Sequence, residues 1–195
     1  MKKIPAILLM MALLLSACQS ASAPEATATM PPTREPISDA EKAVISDVYQ
    51  ISLMINVDAY LVQEIFAGVQ SGEISDMDAY NHVLNAITVI NTIDQQIPKI
   101  TPPKSVSLDW DQMLTYQDAT KKILADWSNE EMDIETVVKE AEAISVSTTD
   151  IMIHMEKQLA ETYGMDEAGL RNTREETVTA MVNGLKTSTT EEQSE

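Results

Sequence analysis

From residue 37 to residue 185 the large apolar side chains recur at intervals of three and four, in runs separated by glycine, proline and cap residues. That spacing matches the 3.6-residue period of an α-helix and gives each run one apolar face. No stretch alternates with period two for long enough to make a strand. The first run carries Ile37, Ala40, Val44, Val48, Ile51, Ile55, Val62, Ile65 and Val69, with Ser38 and Glu41 as a capping box and Gly68 and Gly72 at its end. The second opens at Ser75, carries Tyr80, Leu84, Ile87, Ile90 and Ile97, and stops at Pro98, beyond which Pro102 and Pro103 forbid continuation.

A third helix is predicted from near Ser105 through Trp110, Met113, Leu114, Leu124 and Trp127 to Ser128-Asn129. The fourth starts at Asp133, presents Ile134, Val138, Ala141, Ile144, Met152, Met155 and Leu159, and ends at Gly164. The fifth, Asp166 to Leu185, is weaker, with Leu170, Val178, Met181 and Leu185. Short connections favour antiparallel neighbours. The expected fold is therefore all-α: an up-and-down antiparallel four-helix bundle over residues 38–186 with an additional C-terminal helix on its outside, and a disordered acidic tail from 187 to 195. Near 150 residues, such a domain can bury a sufficient core without staples.

The chain begins differently. Met1, Lys2 and Lys3 precede the apolar run Ile4 to Leu15, then small residues lead to Cys18, the single cysteine. The run is about 12 residues, whereas a helix crossing the hydrocarbon core takes about 20, so residues 1–17 read as a signal peptide. Leu15-Ser16-Ala17-Cys18 resembles the lipobox of bacterial lipoproteins, a branched apolar residue and two small ones before an invariant cysteine. The resemblance covers the first 18 residues. It implies cleavage before Cys18, a diacylglycerol on its sulfur as the only attached group, and a mature chain held by two acyl chains on the extracytoplasmic face of the cell membrane.

Residues 18–37 then form a Ser/Ala/Thr/Pro tether too poor in apolar side chains to fold. Extended, it reaches at most roughly 60 Å, at about 3.1 Å per residue. The lone cysteine excludes a disulfide framework and a thiolate metal site in the domain.

The net charge is −18, and removal of Lys2 and Lys3 with the signal peptide makes it −20. Such a chain is repelled by nucleic acid, which excludes nucleic-acid binding, and favours a cationic partner. In the expected topology the loop around Lys99 and Lys104 lies at the tether end, where lysines near anionic headgroups contribute up to about 1 kcal/mol each. Glu73, Asp76, Asp78, Glu130, Glu131 and Asp133 gather at the opposite end as a surface for a partner or cation. Three of them, Asp76, Asp78 and Asp133, fall where carboxylates complement helix dipoles. "DMDAYNHVLNAI" lacks the glycine and terminal acid of a calcium loop.

No G-x-S-x-G, P-loop, G-x-G-x-x-G or H-E-x-x-H motif occurs, and neither histidine has a Glu three residues before it. Each histidine does have an aspartate four residues earlier, Asp78 before His82 and Asp150 before His154, a spacing that shares one helix face. Measured from the acidic turns, His82 lies about 6 residues deep and His154 about 21, so at 1.5 Å per residue they are roughly 20 Å apart and hold no common ion.

At the depth of His154 the second helix offers Asp94, which interrupts its seam. Asp94, Asp150 and His154 are thus the metal- or proton-handling set that the topology allows. Met152 and Met155 face one way and His154 is about 160° from Met152, which makes the methionines core filler and not copper ligands. Asp58, Gln117, Ser145 and Thr148 fall in or beside the seams, and the same depth count pairs Gln117 with Ser145. The two tryptophans are expected to pack. The chain therefore reads as a noncatalytic, lipid-anchored module that binds an envelope protein or ligand.

Overall fold

A computed structural model of the chain describes residues 37–192, with side chains as far as 185. The expected signal peptide, Cys18 and the expected tether up to 36 lie outside the described residues. The described part is all-helical and contains no strand: α1 (Asp39–Ser71), α2 (Asp76–Asp94), a 3-10 turn at Ile97–Lys99, α3 (Ser107–Ser128), α4 (Ile134–Tyr163) and α5 (Glu167–Glu192).

The boundaries follow from local chemistry. Ser38 caps α1 by accepting from the Glu41 N–H at 3.2 Å, and Ser75 caps α2 by accepting from the Asp78 N–H at 3.2 Å. Asp133 caps α4 through the Thr136 N–H at 2.9 Å. Each oxygen satisfies a donor that has no partner within the helix. Gly72 and Gly164 end α1 and α4 with φ of 77° and 71°, a left-handed conformation that costs glycine little. The third helix begins at Ser107, where Val106 supplies no side-chain cap.

The fifth helix runs past 186 as far as Glu192, where a disordered tail was expected from 187. Extending a formed helix adds one hydrogen bond per residue without a new nucleation cost, so polar residues can continue it.

Two apolar clusters make the core. The first joins the early part of α1 (Ile45, Val48, Tyr49) to the end of α2 (Ile93), the start of α3 (Val106, Trp110, Met113) and the end of α4 (Met152, Met155, Leu159). The second joins the end of α1 (Val62, Ile65, Phe66) to Ile74, the start of α2 (Ala79, Val83), the end of α3 (Ile123, Leu124) and the start of α4 (Val137, Ala141). Fully burying one such side chain is worth about 1.5–3 kcal/mol.

Helix α1 is the hub: it packs on all four other helices, most extensively on α4. Its residues 55–59 are consecutively buried, so apolar and polar side chains alike face protein on every side. Gly68 lets Ile74 lie against α1, since a Cβ there would come within 2.5 Å of the Ile74 side chain. Met152 and Met155 are core residues, and Trp127 meets Phe66 edge to face at 5.2 Å.

Candidate functional site

Helix α4 carries polar side chains on three sides, and each side finds a different partner. Toward α1, Asn56 donates to the hydroxyls of Thr148 (3.0 Å) and Thr149 (3.1 Å), and the Ser145 hydroxyl donates to the Gln63 side chain. Toward α5, Glu156 accepts from Arg174 Nε at 2.9 Å, and Tyr49 of α1 reaches the same oxygen at 3.5 Å while donating to the Leu170 carbonyl at 2.7 Å. Glu156 is fully buried, and burial pushes its carboxyl above the usual range against the opposing pull of Arg174.

Toward α3, His154 Nδ1 lies 2.8 and 2.9 Å from the two oxygens of Asp109. The imidazole is 56% exposed and the carboxylate 6%. A carboxylate only accepts, so Nδ1 donates and the Nε2 edge is left toward solvent. One turn along the same interface, Gln112, Thr115 and Tyr116 of α3 and Ser147, Asp150 and Ile151 of α4 line a shallow, open groove of about 380 Å³.

The set Asp94, Asp150 and His154 does not assemble. Asp94 turns to α3, where it accepts from Gln117 at 2.9 Å and pairs with Lys121 at 2.8 Å, while His154 turns to Asp109. Desolvation lowers the Lys121 pKa, but the hydrogen bonds to Asp94 and Asp118 outweigh it and hold the ammonium above its ordinary range. Among the described residues, no three His, Cys, Asp or Glu side chains converge on a point that could hold a metal ion. Equal depth in a bundle fixes position along the axis but not the direction around it, and Asp94 and His154 point to different partners. The expected Gln117–Ser145 bond fails for the same reason: Gln117 meets Asp94 and Ser145 meets Gln63.

The acidic residues of the two turns border one cluster, through Ile74 on one side and Met132 and Ile134 on the other. Asp78 and Asp133 are used locally, Asp78 accepting the Ser75 hydroxyl at 2.5 Å and Asp133 capping α4. The Thr136 backbone N–H holds the Asp133 carboxyl below its ordinary range. Glu73, Asp76, Glu130 and Glu131 are exposed. Beside them Met77, Tyr80 and Leu84, at i, i+3 and i+7 on α2, are 71%, 48% and 46% exposed.

Asp58 stands apart from these groups. It is buried in α1, one oxygen lacks any hydrogen-bond partner, and desolvation pushes its pKa up to about 7.

Asp109, Glu156 and Arg174 escape a reading that looks for known motifs, although each leaves a signal. Glu156 and Arg174 sit at apolar-seam positions of α4 and α5, and a lone charge in such a seam needs a partner. Asp109 adjoins the seam of Val106, Trp110 and Met113. No protein-family model, curated protein or solved structure matches this chain.

Proposed function

We propose that the chain is a lipoprotein anchored by diacylglycerol on Cys18, whose acidic helical domain is a noncatalytic binding module on the extracytoplasmic face of the cell membrane. The observation that carries this reading is Leu15-Ser16-Ala17-Cys18 after a cationic and apolar start. None of the described helices is long and apolar enough to cross a membrane. An acyl anchor supplies attachment by another route.

We read the domain as an up-and-down antiparallel bundle with α5 on its outside. The composition of the two clusters supports this, since helix starts and ends alternate between them. Ile37, Ile97 and Ile100 pack on the first cluster, which supports reading the first residue of the domain and the loop after α2 as lying at one end. The partner surface is then the opposite end, where exposed acids flank Met77, Tyr80 and Leu84. Aromatic and methionine side chains in such a setting favour a protein partner with a basic rim.

Mass spectrometry of the membrane fraction tests the anchor. The expected mature chain begins at a diacylglyceryl-modified Cys18, and Cys18→Ser releases the protein from membranes. A mature chain beginning elsewhere ends the proposal. Capture of partners on the native lipidated protein, repeated with Met77→Ser and Leu84→Ser together, tests the surface.

A further inference from the structure

We propose that the exposed edge of the His154 imidazole and the Asp150 carboxylate bind a divalent transition-metal ion of the Zn²⁺ and Cu²⁺ class, with Asp109 positioning the ring. This site stands independently of the lipid anchor. Three features lead to it. First, both oxygens of the buried Asp109 lie within 2.9 Å of Nδ1, which fixes the ring orientation and directs Nε2 outward. A carboxylate behind a histidine in this way is the usual companion of a metal-ligating imidazole, because it sets the tautomer and raises ligand basicity.

Second, Asp150 precedes His154 by four residues in the same helix, a spacing that brings two ligands to one face, and it lines the open groove between α3 and α4. Third, imidazole with carboxylate suits borderline ions better than Ca²⁺ or Mg²⁺, which prefer all-oxygen shells. The remaining coordination positions fall to water, so the site is open.

The molecule carries its own control. Asp78 and His82 have the same spacing, but Asp78 is engaged by the Ser75 hydroxyl, and among the described residues no carboxylate is hydrogen-bonded to the His82 ring. The same i, i+4 pair without an orienting group should bind much more weakly.

Titration of the full-length chain with Zn²⁺ by calorimetry, with the imidazole ¹⁵N resonances followed by NMR, tests the site. The expected result is saturable binding of one ion with a shift of the His154 Nε2 resonance. Affinity should fall at least tenfold in His154→Gln and in Asp150→Asn, and stay unchanged in His82→Gln. Asp109→Asn should weaken binding by about 10–100-fold and alter the tautomer balance of His154 in the metal-free protein. His154 is exposed, so His154→Gln carries the test even if Asp109→Asn fails to fold. Equal Zn²⁺ affinity in wild type and His154→Gln, an equal loss in His82→Gln, or equally tight binding of Ca²⁺ would each overturn the proposal.

Discussion

The Nε of Arg174 lies 2.9 Å from Oε1 of Glu156, and the two side chains are 7% and 0% exposed. With the bond from Tyr49 to the Leu170 carbonyl, this pair fastens α5 through polar groups, while the apolar contacts of the helix with the first cluster come from the partly buried Leu170, Val178 and Met181. Breaking a buried pair by removing one partner costs about 3–5 kcal/mol, because the remaining charge is left without compensation. Arg174→Ala should destabilise the domain by that amount in urea unfolding and speed hydrogen exchange across α5.

The cost should shrink as the pH falls. The Glu156 carboxyl is already raised by burial, and once protonated it no longer needs the guanidinium. Replacing both residues, Glu156→Leu with Arg174→Met, should recover most of the loss, since Tyr49 keeps its bond to the Leu170 carbonyl. A double variant as unstable as Arg174→Ala would show that the helix depends on the charges themselves.

Asp58 predicts an opposite dependence from that of a salt-bridged acid. Its folded pKa is about 7 against an ordinary 3.8, with burial as the cause. Between those values the folded state holds a proton that the unfolded state has released, so stability falls as the pH rises from about 4 to about 7 and is flat above. At 1.36 kcal/mol per unit the roughly three-unit shift amounts to at most about 4 kcal/mol. Asp58→Asn should therefore stabilise the domain at pH 8 relative to pH 4, and the difference between the two unfolding profiles should grow steadily from about pH 4 to about pH 7 and level off above. Parallel profiles would mean that Asp58 stays ionised in the fold.

Gly68 and Ile74 make a steric prediction. Exchanging an exposed helical glycine for alanine gains about 1 kcal/mol of helix propensity, but here a Cβ would stand 2.5 Å from Ile74 Cδ1. Overpacking costs about 1–3 kcal/mol, so Gly68→Ala should lower the melting temperature. Adding Ile74→Ala, which removes both Cδ1 and the Cγ1 that would stand at 2.6 Å, should restore part of the loss. Additive losses in the double variant would refute the contact as the cause.

Much of this architecture is legible in the sequence because helix ends are local events. Ser38, Ser75, Asp133 and Gly164 mark boundaries through groups within a few residues, and the apolar period marks the faces. The polar interior is less legible. Pairing Asp94 with His154 requires the rotation of two helices about their axes, and period and depth constrain that rotation only to a broad face. The wide burial of α1 blurs it further, since Asn56 and Asp58 are both buried there, and one finds Thr148 and Thr149 while the other finds nothing that compensates its charge. Tyr49, Glu156 and Arg174 come from three helices, so no local spacing encodes their meeting.

Asp94 holds α2 on α3 through Gln117 and Lys121. Its carboxylate is 37% exposed, so its pairing with Lys121 contributes little, about 0–1 kcal/mol. Gln117 behind it is 2% exposed, and its Oε1 already lacks a partner, which leaves Nε2 dependent on Asp94. Asp94→Asn keeps an acceptor for that amide and should cost less than about 1 kcal/mol. Asp94→Leu removes the acceptor and strands a buried donor, which costs about 1–3 kcal/mol. Chemical unfolding of the two variants separates the roles: similar losses would assign the contribution to the Lys121 ion pair, and a larger loss in the leucine variant assigns it to the buried amide.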